Sequence, residues 1–302
     1  NPVLLNTPVP GTWNSGGIGS VPGGHAIWDG ENYRIYFYGR GPSPNYFASI
    51  GVFISPNLES GWEEYAENPV LERDALGWDV NGVTAPYVIK DGDIYKMWYT
   101  AADNDFDVHI GYAESEDGYN WDRRAEPVLS PILDSSWEGR WVARPSVYKE
   151  NDSTYMMWYN ATSAETSWQI GFARSIDGVI WERVQDEPVL TIEAGWASGF
   201  NSLPKVMRTA GGFTMWFSGS TSNVFADPAK LGTAISPDGI NWRLDRLYNP
   251  VMQVGVAGSW NETAVAAVGI FPDDDGYTML YLGGDSDWES VSFGIAHYNP
   301  TI

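Results

Sequence analysis

The sequence predicts an all-β chain, a five-bladed β-propeller with four-stranded blades, closed into a ring by its own N-terminal segment. Three observations predict it: a composition suited to short strands, a unit repeated five times, and a repeat phrase absent at one end of the chain and present at the other. Of the 302 residues 43% are hydrophobic and 15% aromatic but only 19% charged, with 33 Gly, 19 Pro and 16 Trp. That mix favours many short strands and turns over long helices. The length leaves room for a large core, and the repeats make residues 1–302 a single domain.

Each unit is built from the same phrases. The first is Tyr95-Lys-Met-Trp-Tyr-Thr100, echoed at Tyr33, Tyr155, Phe213 and Tyr277. Next comes Ile110-Gly-Tyr-Ala with Ser115-Glu-Asp-Gly-Tyr-Asn-Trp121, echoed from Ile170 to Trp181 and from Leu231 to Trp242, and more loosely from Ile50 to Trp62. Pro-Val-Leu or Pro-Val-Met follows at Pro69, Pro127, Pro188 and Pro250, and a Trp opens each unit at Trp13, Trp78, Trp137, Trp196 and Trp260. Between one opening Trp and the next lie four short β-rich stretches bounded by turn residues, the content of a propeller blade. The last unit runs out at Phe293 to Pro300 without its Pro-Val-Leu, whereas the chain begins Asn1-Pro-Val-Leu. The N-terminal segment is therefore expected to complete the last blade and cover its edge.

Charge and composition narrow the partners. A formal net charge of −22 repels polyanions, so nucleic acid and anionic membranes are poor candidates, and no apolar run is long enough to span a bilayer. Zero cysteines exclude disulfides and thiolate chemistry. An acidic chain poor in Lys suits a secreted or periplasmic protein, and a monomer is expected.

Topology divides the blade connections between two faces. The turn side carries tight polar links such as Lys90-Asp-Gly-Asp and the Ser-x-Asp-Gly turns, which read as structural. The opposite side carries the longer loops 39 to 50, 100 to 110, 160 to 170, 218 to 231 and 283 to 293, each with an aromatic: Tyr46, Phe106, Trp168, Phe225 and Trp288. A ring of aromatics around a central depression suits the C–H faces of sugars. Loop 100 to 110 also carries Asp103, Asp105, Asp107 and His109, a weak match to a calcium loop because it lacks the closing Glu. No metal or cofactor is otherwise expected.

Inner strands face the axis, and positions that differ between repeats are the ones free of purely structural duty. Acids fall at Asp79, Glu138 and Glu262, and basic residues at His25, Arg140, Arg144 and Lys205. Arg140 and Arg144 share parity along a strand and are expected on one side. The basic set, with Asn201, Phe106, Trp168 and Trp288, forms the expected substrate-binding surface.

Gly82-Val-Thr-Ala-Pro86-Tyr-Val-Ile-Lys-Asp-Gly, Tyr95-Lys-Met-Trp-Tyr and the Ile-Gly-Tyr-Ala and Ser-x-Asp-Gly-x-x-Trp phrases resemble the five-bladed propeller glycosidases and glycan phosphorylases, the group of glycoside hydrolase families 32, 43, 62, 68, 117 and 130. The resemblance runs over essentially the whole chain and implies a glycan-active enzyme with an oligosaccharide or polysaccharide substrate. In families 32 and 43 acids stand near the inner-strand Pro in three blades, but the matching positions here are Ala85, Arg144 and Leu203. Glycoside hydrolysis asks for a proton donor and a second carboxylate, so the expected exo-acting hydrolase would use Glu138 as acid, beside Trp137 and Trp141, and Asp79 as base, with Glu262 assisting. Two alternatives stand beside it: a glycan phosphorylase using the Arg/Lys/His set as an anion site, and a non-catalytic carbohydrate-binding propeller.

Overall fold

The computed structural model describes residues 2–5, 12–17, 23–44, 47–191, 195–222, 228–244, 249–274, 276–284 and 291–298, and among them the chain is all-β. Strand β1 (Leu4–Leu5) stands apart in sequence from the group it joins. The first group is β2 (His25–Trp28), β3 (Tyr33–Arg40), β4 (Ala48–Ser55) and β5 (Glu63–Glu64). The second is β6 (Val83–Asp91), β7 (Ile94–Ala102), β8 (Val108–Ser115) and β9 (Asp122–Arg123), and the third is β10 (Trp141–Asn151), β11 (Thr154–Thr162), β12 (Gln169–Ser175) and β13 (Trp181–Arg183). The fourth is β14 (Phe200–Thr209), β15 (Gly212–Ser220), β16 (Lys230–Ser236) and β17 (Arg243–Leu244), and β18 (Ala264–Asp273), β19 (Gly276–Gly284) and β20 (Val291–Tyr298) make the fifth. Within each group consecutive strands pair antiparallel, and β1 adds to β20 with Leu4 opposite Phe293.

The first strands of the groups neighbour one another in a cycle, β2 beside β6, then β10, β14, β18 and again β2. Short parallel contacts stitch adjacent groups: Trp141 pairs with Val108, and Ala264 with Ala229.

The repeated phrases are explained by packing. Each opening Trp lies against the Gly of the third strand, and all but Trp13, which is tilted 47° to Phe37, stack on the fifth residue of the second-strand phrase. Trp78 stacks on Tyr99 at 6.2 Å, Trp137 on Tyr159 at 6.4 Å and Trp260 on Tyr281 at 5.4 Å. A Cβ on Gly111 would lie 2.8 Å from the Trp78 indole, and one on Gly171 2.6 Å from Trp137, so glycine is required for the close approach. The Ser-x-Asp-Gly turns are structural as expected. Ser115 Oγ accepts from the Gly118 amide at 2.8 Å and Asp117 Oδ1 accepts from the Tyr119 and Asn120 amides, with Gly118, Gly178 and Gly239 all near φ +80°. The carbonyls of Gly178 and Gly239 then receive the indole N–H of Trp98 and Trp158 from the preceding group, both fully buried. Each turn thus satisfies a buried donor of its neighbour, which is what a buried Trp needs.

Candidate functional site

The inner strands share a backbone irregularity that shapes the axis. At Ala85, Arg144 and Leu203, each followed by Pro, φ is +45°, +52° and +58°, and the pairing of the strand with its neighbour slips by one residue there. Such a left-handed non-glycine residue is strained by on the order of 1–3 kcal/mol. The amide it turns out of the ladder is caught by a side chain of the preceding group's second strand: Arg144 N donates to Thr100 Oγ1 at 2.8 Å, and Leu203 N to Asn160 Oδ1 at 2.8 Å. Together with Gly23 and Gly24, the three X-Pro pairs form a constriction. Above it, toward the long loops, lies one hollow; below it, toward the tight turns, lies another.

The loop-side hollow, about 210 Å³, is lined by Tyr38, Thr84, Ala85, Thr100, Val108, Trp141, Ala143, Arg144 and Trp168. Arg144 dominates it. Its Nη1 donates to Ser202 Oγ at 2.8 Å, and Ser202 in turn donates to Asn160 Oδ1 at 3.0 Å. Its guanidinium sits 4.3 Å from the centre of the Trp168 ring, Trp168 stacks on Trp141 at 5.8 Å, and the Arg140 guanidinium covers the outer side of Trp141 at 4.5 Å. The four side chains make one stack, two rings face to face with a cation on either side. Burial draws the Arg144 pKa down to about 10, so it stays charged at neutral pH. Among the described residues Arg144 makes no ion pair with a carboxylate, and none of the lining residues is an acid. A half-buried guanidinium without a counter-charge among the described residues is suited to receive an anion.

The expected acids lie elsewhere. Asp79 is 1% exposed; its Oδ2 pairs with Arg123 Nη1 at 2.7 Å and accepts from Tyr99 Oη at 3.3 Å, while Oδ1 takes the Asp74 amide. Glu138, 2% exposed, repeats the arrangement with Arg183 Nε at 2.7 Å, a contact off the N–H direction and hence ionic, and with Tyr159 Oη at 3.0 Å. Burial pushes the Glu138 carboxyl up while Arg183 and Tyr159 pull against it. Both acids follow an opening Trp and tie the first strand's lead-in to the outermost strand; they brace the groups and do not line the axial hollows. Glu262 accepts from the Gly258 amide and closes its own turn. All three expected acids are thus engaged in contacts with the scaffold, and none is among the described residues that line the axial hollows.

The expected binding residues divide. Arg140, Arg144 and Trp168 come together at the loop side, with Arg140 exposed at the rim. Phe106, 67% exposed with φ +62°, contributes its carbonyl to Trp141 Nε1 at 3.1 Å. Asn201 is buried beside the hollow, its Nδ2 without a partner among the described residues and its carbonyl held by Asn160. His25 and Lys205 lie below the constriction, in the turn-side hollow. Trp288, Tyr46 and Phe225 lie outside the described residues. Asp103 is occupied by its own loop: Oδ1 accepts the Asp105 and Asp107 amides, and Oδ2 meets His109 Nε2 at 3.2 Å. Among the described residues no group of three His, Asp or Glu is arranged to hold a metal ion.

The second-strand residues Thr100 and Asn160, with Ser202, were missed from sequence. Their signal was the last place of the second-strand phrase, polar in Thr100, Asn160 and Ser218 within an otherwise apolar buried strand.

Comparison with known proteins agrees with this architecture. The family described as beta-1,4-mannooligosaccharide phosphorylase, glycoside hydrolase family 130, matches over residues 92–289. The uncharacterized protein Rv1502 of Mycobacterium tuberculosis H37Rv is 29% identical over 286 residues, 89% of this chain and 88% of that protein. The beta-1,2-mannobiose phosphorylase of Thermoanaerobacter sp. strain X514 is 30% identical over 105 residues, 30% of this chain and 33% of that one. A solved structure from work on family 130 mannoside phosphorylases and on hydrolases that target beta-1,2 mannosidic linkages in Candida mannan superposes with a TM-score of 0.72, at 17% identity, over all of this chain and 92% of that one.

Proposed function

The chain belongs to glycoside hydrolase family 130, a family of glycoside-active enzymes, and from that premise we propose that it cleaves β-mannosidic linkages by phosphorolysis in the loop-side hollow. The observation that carries the reading is Arg144, a half-buried cation held in place by Ser202 and Trp168 in a hollow whose described lining has no acid. Hydrolysis needs one carboxyl group to protonate the leaving oxygen and another to activate water or attack. Hydrogen phosphate brings both the attacking oxygen and a proton: its oxygen bonds to the anomeric carbon, the glycosidic C–O bond breaks, and the leaving oxygen takes the proton. The products are a sugar 1-phosphate and a shortened glycan. Arg144 holds the phosphate and lowers the cost of bringing it into a partly dry site. Trp141 and Trp168 offer the sugar a flat apolar wall.

The constriction of X-Pro pairs beneath the hollow makes it a dead end, which suits removal of sugars from a chain end. In the same reading the five strand groups are the blades of one ring and one domain, closed where β1 joins β20. The test is incubation with β-1,4- and β-1,2-linked mannooligosaccharides with and without inorganic phosphate. Mannose 1-phosphate formed only with phosphate is the expected result. Free mannose released equally in its absence means hydrolysis, and binding without any product favours the carbohydrate-binding alternative.

A further inference from the structure

The hollow at the other mouth of the axis has a different chemistry. Its volume is about 360 Å³, at the small end of ordinary ligand sites. The walls are the later residues of the inner strands, among them Ile27, Ile89, Val147, Met207 and Phe271. Lys205 reaches into this apolar space at only 8% exposure. Its ammonium lies 4.9 Å from the centre of the Tyr87 ring, and His25 stacks on the same ring at 3.7 Å. His25 Nδ1 is 3.1 Å from the Val268 carbonyl, an acceptor, so Nδ1 carries the proton and Nε2 is an unprotonated acceptor.

The other charged and titratable groups around the hollow are committed or neutral. Lys90 donates to the Asp29 carbonyl at 2.7 Å, and Lys149 pairs with Asp91 at 2.6 Å. Burial drives His25 toward its neutral form and pushes the Tyr87 hydroxyl up to about 12, while β18 contributes only Gly269, Ile270 and Phe271. Among the described residues no carboxylate answers Lys205. An enclosed ammonium with apolar walls and no counter-charge is unfavourable until an anion joins it. Lys205 matches one negative charge and the walls match an apolar body, while Lys90, exposed and bonded to a neutral carbonyl, adds a second positive charge.

We propose that the turn-side hollow is a binding site for a small organic monoanion, its carboxylate on Lys205 Nζ and its apolar body against Ile27, Met207 and Phe271. This site lies across the constriction from Arg144 and does not depend on how the loop-side hollow works.

The probe is benzoate, with the neutral isostere benzamide as control, followed by titration calorimetry. Burial alone holds the Lys205 pKa down to about 7, whereas a carboxylic acid stays ionised above pH 6. Benzoate affinity therefore falls roughly 30-fold between pH 6 and pH 8.5 as the free amine loses its proton. Benzamide shows no such binding, and K205M, which removes the charge and keeps an apolar chain of similar length, loses benzoate while retaining its circular dichroism spectrum. Absence of benzoate binding, an affinity flat with pH, or unchanged affinity in K205M overturns the proposal.

Discussion

Replacing Lys205 with Met should stabilise the ligand-free protein, and by an amount that depends on pH. The displacement from 10.5 to about 7, at about 1.4 kcal/mol for each tenfold step, corresponds to roughly 5 kcal/mol of unfavourable interaction for the charged amine. Below pH 7 the folded protein carries this cost in full, because Lys205 is protonated in both states. Between pH 7 and 10.5 the unfolded chain binds a proton that the folded protein does not, so stability rises with pH and the cost fades. Differences in packing between Lys and Met do not vary with pH and cancel when two pH values are compared. The advantage of K205M over the parent is therefore expected to shrink by about 3 kcal/mol between pH 6 and pH 9. Urea unfolding followed by tryptophan fluorescence, in a buffer free of organic anions, measures it. An advantage equal at the two pH values, within about 0.5 kcal/mol, would refute the assignment of Lys205 as an unpaired buried amine.

Three further outcomes are expected. Arg144→Met should raise the KM for phosphate roughly 10- to 150-fold, the worth of a hydrogen bond to a charged group, with Arg144→Lys intermediate; initial rates against phosphate concentration decide it. Glu138→Gln and Asp79→Asn should each lose about 2–4 kcal/mol of stability by leaving Arg183 or Arg123 without its partner, while the rate per folded molecule stays within twofold; a large loss of turnover in a variant of normal stability would restore the acid to catalysis. Gly111→Ala should cost about 1–3 kcal/mol by driving a methyl group into Trp78 and Tyr99, measured as a fall in the urea midpoint.

Most of the fold was legible because packing fixes its spelling. An opening Trp, a third-strand Gly and a second-strand aromatic must occur together, since the indole occupies the space a side chain at the Gly would take. The N-terminal Pro-Val-Leu was read correctly as strand-forming, and Leu4 does pair with Phe293. The ion pairs of Asp79 and Glu138 were not anticipated, although the sequence held their signal. Across the repeats the residue after the opening Trp varies together with the residue two past the closing Trp: Asp79 with Arg123, Glu138 with Arg183, Ala197 with Leu244. Acid goes with base, and apolar with apolar, the mark of a contact within the scaffold. The separation of Lys205 from Arg144 was not legible. Strand parity alone puts Arg140 and Arg144 on one side, but the slip in pairing at each X-Pro pair breaks that parity. Which hollow a later side chain enters is thus set by a backbone dihedral that no local residue pattern announces.

That dihedral also explains why the varied residues of the axis are where they are. The left-handed turn at positions 85, 144 and 203 is the same in three groups, and at Arg144 and Leu203 it is held by a hydrogen bond from the preceding group, so its strain is supported by the scaffold whatever side chain sits there. The side chain is then free to vary, and it does: Ala, Arg and Leu occupy equivalent backbone. The resemblance to families 32 and 43 implies acids at or near these positions. Exchanging an acid for Arg144 on the same strained backbone reverses the sign of the charge presented to the loop-side hollow. Such a hollow suits the proposed phosphorolysis, in which the attacking group arrives as an anion and a cation receives it.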